Sequence, residues 1–317
     1  MTSASPTIRQ LKYLIAVSET LNFHKAADTL FITQSTLSAG IKELESILGA
    51  VLIERNKKSV RLTTIGEKIA LRAKVILSGV EDLVAVSRES QKPLTGDIRL
   101  GVIPTIAPFL LPIVLPRLKL DYPDLKLYLK EDFSERILDQ LNSGELDFAL
   151  IALPYDTSGL TVRELITDEF WFVARQDNPK AKQREIIIKN INPAELLLLE
   201  EGHCLRDHTI QACQTNTFNL DNSKMSATSL FTLLQMVDGN LGFTLLPEIV
   251  IRAGALVGTN LVARPIEKRN VSRKIALVMR QSGTRSKDFE LLADVITEEH
   301  RRNTQPKVGG RSTRARN

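Results

Sequence analysis

Apolar residues near the N-terminus recur at three- and four-residue steps. Leu11, Leu14, Val17 and Leu21 mark one face of an amphipathic helix over Ile8–Leu21. A second helix is predicted at about His24–Phe31, with Ala26, Ala27 and Leu30 turned inward. After a break at Ile32–Thr33, the run QSTLSAGIKELESILG forms a third. Thr33 suits its N-cap, Leu37, Ile41, Leu44 and Leu48 its buried stripe, and Gly49 its end. The segment VLIERNKKSVRLT then alternates around a basic turn, as a two-stranded wing would. Thr64-x-x-Glu67 reads as a capping box for a helix running to about Ser90. Along that helix Ile69, Ala73, Ile76, Val80 and Leu83 are spaced as a heptad seam, which suits a dimerising linker. Pro93-Leu94-Thr95-Gly96 marks a boundary.

Beyond it, strands alternate with helices. Ile98–Ile103 is a strand, Ala107–Asp121 a helix with prolines near its ends, Leu125–Lys130 a strand, Ser134–Ser143 a helix and Leu146–Leu153 a strand. A second set begins near Glu169 with EFWFVAR. It continues through a strand at about Leu196–Leu199, a helix after Cys204, and LGFTLLP. A strand at Arg273–Arg280 and a helix at about Ser286–Arg302 close the pattern, an α/β class with a mainly parallel sheet.

Charge changes the picture in one place. Arg301, Arg302, Lys307, Arg311, Arg314 and Arg316 give the last stretch +6 with no acid, so of the net +5 the first 300 residues hold −1. The basic balance therefore describes a tail, and residues 301–317 are expected to be disordered. There is no signal-like start and no apolar run of bilayer length, so the cytoplasm is the expected location and no membrane partner is expected.

The free face of the helical unit carries chemistry. Gln34, Ser35, Thr36 and Ser38 crowd the start of the third helix beside Thr33, as short hydrogen-bonding groups entering a major groove would. Lys42 and the wing residues Arg55, Lys57, Lys58 and Arg61 suit backbone phosphates. The bland alternative is a three-helix bundle with a solvated polar face.

Two cysteines exist, Cys204 and Cys213. His203, Arg206 and the start of a helix can each favour the Cys204 thiolate, the nucleophilic form. A helix over Leu205–Cys213 would separate the two by about 13 Å and half a turn. A disulfide needs alpha carbons within about 7 Å, so it would require rearrangement. By composition alone both thiols read first as small buried hydrophobes. Thr105 and Ser134, at the ends of strands, read first as helix caps.

The run AADTLFITQSTLSAGIKELESILGAVLIERNKKSVRLTTIGE resembles the DNA-binding signature of LysR-type transcription regulators. GHCLRD with a second Cys nine residues after the first, SATSLFTLLQMV, GFTLLP and LGVIPTIAPFLLP are similar to the peroxide-sensing members of that family, over nearly the whole chain except the tail. The resemblance implies a winged helix-turn-helix over 1–65, a linker helix over 66–93 and a two-lobed α/β regulatory module over 94–300. Lobe I would hold 94–166 and 271–300, and lobe II 167–270. It implies that Cys204 meets peroxide and Cys213 resolves it, with Thr105, Ser134, His203, Asp207 and Arg273 around the pocket and Arg269 competing for the arginine's place. Ser134 stands where the family commonly has Thr. Double-stranded operator DNA, a homodimer or homotetramer, RNA polymerase and hydrogen peroxide are the implied partners, with antioxidant genes as the output. No cofactor or metal is expected. The rival readings are a LysR-type regulator of a small metabolite and, from another class, a thiol peroxidase fused to a DNA-binding domain.

Overall fold

The computed structural model describes residues 5–55, 59–86, 93–213, 226–267 and 271–304. They form two compact units. One comprises 1–90 with 139–146 and 282–284, and the other holds the remainder.

In the first unit, α1 (Ile8–Thr20) opens with a reciprocal cap between Thr7 and Gln10. Helix α2 (Phe23–Thr29) is shorter than its sequence pattern. Leu30 leaves the helix and Phe31 takes a left-handed φ of 54°. Helix α3 (Gln34–Leu48) starts at the Thr33 cap and ends at Gly49, φ 64°. The Tyr13 ring of α1 lies across Gly40 of α3, where a Cβ would sit 2.6 Å from a ring carbon. Strands β1 (Ile53–Arg55) and β2 (Val60–Leu62) pair antiparallel as a wing. Glu45 of α3 holds the wing's entry by accepting from Leu52 N at 2.8 Å and Ile53 N at 3.1 Å.

Helix α4 (Thr64–Val86) corrects two expectations. Its cap is Thr63, whose Oγ1 accepts from Gly66 N at 2.9 Å, so Thr64 is already helical. The expected seam is divided as well. Ile69 and Ala73, with Ala70 and Leu77, pack into the unit's own core, whereas Ile76 and Leu83 are exposed. The buried face is centred on small alanines, which lets α4 approach closely and leaves the larger apolar residues outside.

The second unit is built on a seven-stranded sheet. Its strands are β3 (Gly96–Val102), β4 (Leu125–Glu131), β5 (Phe148–Leu153), β6 (Leu160–Arg175), β9 (Thr244–Pro247), β10 (Leu261–Pro265) and β11 (Ser272–Arg280). The order is β10-β6-β11-β5-β3-β4, with β9 also on β6. Only β3 runs parallel to its neighbours β4 and β5, and every pairing of β6 and β11 is antiparallel. The sheet is therefore mixed, not mainly parallel. Strand β6 starts well before Glu169. Its first part pairs with β11, and Phe170–Arg175 pair with β9 and β10, so one strand runs through both lobes.

Helix α5 (Ala107–Asp121) keeps Pro112 and Pro116 in its interior, not at its ends. Both lie on the exposed face, where the carbonyls they leave unpaired can meet water. Helices α6 (Ser134–Ser143) and α10 (Ser286–Thr304) match their patterns closely. The other lobe adds β7 (Leu198–Leu199), α7 (Cys204–Ala212), β8 (Ser226–Ala227), α8 (Leu230–Asp238) and α9 (Glu248–Arg252). Among the described residues no helix is long and apolar enough to cross a membrane.

Gly66 tests the packing of α4 on the wing. A Cβ there would sit 2.1 Å from the Leu52 carbonyl oxygen, a backbone atom that cannot step aside. Gly66→Ala is expected to destabilise the first unit by about 1–3 kcal/mol, read as a lowered urea midpoint.

Candidate functional site

The chemistry of the second unit gathers around Arg273. This residue is buried near the start of β11, directly opposite Asp168 of β6 in the strand register. Its Nε donates to Asp168 Oδ2 at 2.9 Å, its Nη1 to Thr105 Oγ1 at 2.9 Å and its Nη2 to the Thr105 carbonyl at 3.1 Å. Asp168 Oδ1 accepts from Ile249 N of α9 at 3.0 Å. One guanidinium thus joins the end of β3, β6, β11 and α9. Thr105 is held by Arg273, not used as a cap, because the α5 N-cap position Ile106 has no side-chain cap bond. Arg269 lies outside the described residues.

Cys204 is the first residue of α7 and is buried. His203 precedes it as N-cap. Its Nε2 donates to the Thr228 carbonyl at 3.2 Å, and its ring meets Phe133 edge-on at 4.6 Å. Ser134 opens α6, and its Oγ is buried with no well-formed hydrogen bond. That hydroxyl is nevertheless near enough to favour the Cys204 thiolate. Asp207 differs from the rest: its carboxylate is exposed, and only its charge reaches Cys204.

The electrostatics correct the expected thiolate. Burial is the largest influence on Cys204 and pushes the thiol up, Asp207 adds to it, and Arg273 and Ser134 oppose it. The opposing cation is Arg273. Arg206 instead donates to the Leu199 carbonyl at 3.1 Å. Burial likewise pushes Cys213 up to about 11. Both residues are free thiols. Cys213 caps α7, its N–H donating to the Thr209 carbonyl at 3.2 Å. The intervening helix holds the pair about 13 Å apart along its axis, beyond the ~7 Å between alpha carbons that a disulfide tolerates.

Sequence reasoning missed Asp168 and His208. Asp168 is visible only through the strand register. His208 follows Cys204 by one helical turn and is buried, with Nδ1 unpartnered. Burial first, and then the Arg273 charge, lower its pKa to about 4.

In the first unit Thr33, Gln34, Ser35, Thr36 and Lys42 are exposed along the start and flank of α3, with Ser38 half-buried beside them. Thr33 Oγ1 lies 2.9 Å from Ser35 Oγ and 2.8 Å from Thr36 Oγ1, which ties these hydroxyls into one cluster at the helix start. Arg61 is exposed on β2. Lys57 and Lys58, and the side chain of Arg55, lie outside the described residues.

A three-helix unit with an exposed recognition helix and a wing, in one chain with a two-lobed α/β module, defines a DNA-binding transcription regulator. Comparison with known proteins names the class. "Bacterial regulatory helix-turn-helix protein, lysR family" matches residues 8–67, and "LysR substrate binding domain" matches 91–301. The chain belongs to the LysR family of transcription regulators.

Within it, the chain is 44% identical to "HTH-type transcriptional regulator EstR" of Acinetobacter baylyi, across 93% of this chain and 97% of that one. It is 34% identical to the "Hydrogen peroxide-inducible genes activator" of Haemophilus influenzae, across 92% and 96%. In structure it closely resembles a full-length OxyR variant from Pseudomonas aeruginosa, with a TM-score of 0.78, 32% identity and coverage of 92% and 95%.

The buried ion pair makes a direct prediction. Asp168→Ala strands the Arg273 charge and is expected to cost about 3–5 kcal/mol in chemical denaturation, and Asp168→Leu with Arg273→Met should recover most of it. His208 predicts an acid effect. Its folded pKa of about 4 lies below the ordinary 6.5, so the fold favours the neutral ring. That stability is complete above pH 6.5 and is lost as pH falls toward 4, by about 3 kcal/mol. His208→Gln should lose correspondingly less stability than wild type between pH 7 and pH 4.

Proposed function

We propose that this chain is a peroxide-responsive LysR-type regulator whose signal is a reversible Cys204–Cys213 disulfide. The observation that carries this reading is the buried Cys204 thiol, whose ionisation is acted on by Ser134 and by Arg273, the residue that also holds Thr105. An orphaned hydroxyl stands beside that thiol, and the chain's other thiol lies nine residues away across a helix. The likeness to OxyR and to a hydrogen peroxide-inducible activator supports it.

The chemistry balances on two thiols and one peroxide. Cys204 sulfur attacks one peroxide oxygen, the O–O bond breaks, and the thiol proton leaves with the other oxygen as water. Cys204 is then a sulfenic acid. Attack by the Cys213 sulfur forms the disulfide and releases a second water. Peroxide is reduced by two electrons and the thiol pair is oxidised. At rest burial keeps Cys204 protonated and quiet, and Arg273 is the charge that favours sulfur as it becomes negative. Closing the bond requires α7 to rearrange, which makes α7 the two-state element of a switch.

The recognition helix would read operator DNA through Gln34, Ser35, Thr36 and Ser38, with Thr33, Lys42, Arg55, Lys57, Lys58 and Arg61 on the backbone. Two or four copies would act together in the cytoplasm, joined in part through the exposed apolar residues of α4, and would recruit RNA polymerase to antioxidant genes. Domain limits of 1–65, 66–93 and 94–300 suit this division of labour. The protein would act once per signal, without turnover as an enzyme.

EstR's name specifies no effector, and regulation by a small metabolite in the same pocket is the second reading. Peptide mapping after brief exposure of the reduced protein to dilute peroxide decides between them. A Cys204–Cys213 linked peptide is expected, together with a peroxide-dependent DNA footprint that Cys204→Ser abolishes. Two free thiols at that dose, or an unchanged footprint response in Cys204→Ser, would overturn the proposal in favour of the metabolite.

A further inference from the structure

The groups gathered around Cys204 differ in what they can offer a ligand with protons to place. Arg273 can only donate. Thr105 Oγ1 and the Thr105 carbonyl already accept from it. His203 donates from Nε2 to the Thr228 carbonyl, which leaves the Nδ1 of its neutral ring able to accept. Hydrogen peroxide, however, carries two O–H groups, and burying either without an acceptor costs free energy. Ser134 Oγ and His203 Nδ1 can each take one of these protons, and any further enclosed lone pair near Cys204 is a candidate for the same work.

His208 has the properties required. It lies four residues after Cys204 on α7, so the two side chains share one face of the helix. Both are buried, and Arg273 acts electrostatically on both. The ring's Nδ1 is enclosed and has no partner, and an orphaned buried nitrogen calls for an explanation. The positive charge of Arg273 also favours the neutral ring, which has a nitrogen lone pair to offer.

We propose that His208 is a further acceptor for the ligand at Cys204, taking an O–H of hydrogen peroxide on Nδ1 and so selecting a neutral, proton-bearing ligand over an anion. This rests on the peroxide reading above. An anion would satisfy Arg273 equally well but has no proton for Nδ1, and the two lone pairs would repel. The low pKa of His208 keeps the ring in its accepting form at every physiological pH. His208 acts here as a binding and specificity residue: it places the peroxide, and Cys204 does the chemistry.

The test uses the full-length reduced protein and follows loss of the Cys204 thiol. One reagent is hydrogen peroxide, and the other is methyl methanethiosulfonate, a thiol reagent with no O–H to donate. His208→Leu is expected to slow the peroxide reaction about tenfold, as loss of one hydrogen bond would. His208→Gln, whose side-chain carbonyl can accept, should restore it to within a few fold, while the methanethiosulfonate rate stays at the wild-type value in both. His208→Met gives a second apolar variant where Leu packs poorly. A peroxide rate unchanged in the apolar variants, or a parallel fall with both reagents, overturns the proposal. A wild-type Cys204 inert to peroxide overturns the functional reading itself, so the two failures are distinguishable.

Discussion

The buried pair of Arg273 and Asp168 is the constraint on which the regulatory module depends. Both side chains are fully removed from solvent, so each charge is tolerable only because the other faces it across the strand register. Asp168 belongs to β6, the strand that runs from one lobe into the other. The remaining guanidinium donors bind Thr105 at the end of β3, and the second carboxylate oxygen receives the N–H of Ile249. Moving any one of these four elements would leave a charged group unsatisfied. The geometry around Cys204 is fixed by a balance of charges more than by the shape of an apolar core.

The same guanidinium acts, second to burial, on the ionisation of its neighbours. It favours a negative sulfur at Cys204 and opposes a positive ring at His208. Burial works against charge at both positions. The result is a group of neutral side chains around one permanent cation, with polar atoms at Ser134 and His208 that have nothing to bind. Buried polar atoms of this kind are costly to leave unpaired, and a partner that can both donate and accept satisfies them better than an apolar one would.

Local chemistry made much of the architecture legible. The cap at Thr33 and the stop at Gly49 follow from residues that act within a turn of themselves, and the limits of α5 and α6 match the pattern of the sequence. What escaped was long-range. Whether a strand is parallel to its neighbour is decided by connection and register, and LITDEFWFVAR does not announce that β6 starts at Leu160 and serves two lobes. The heptad spacing of α4 was real, but spacing cannot say which of two partners claims a face, and Ala73 went to the unit's own core. At the site, the residues named by family resemblance are mostly brought together, with Asp207 the exception. Asp168 was illegible because its significance lies in a strand partner more than a hundred positions away. The expected thiolate failed because sequence displays neighbouring charges and hides desolvation.

Cys204 keeps only 7% of its surface in contact with solvent. A partner as large as an oxidised tripeptide or a protein disulfide cannot meet a sulfur so covered unless α7 opens. Coverage of this kind ranks oxidants by bulk before chemistry, and it leaves small molecules the advantage at this sulfur.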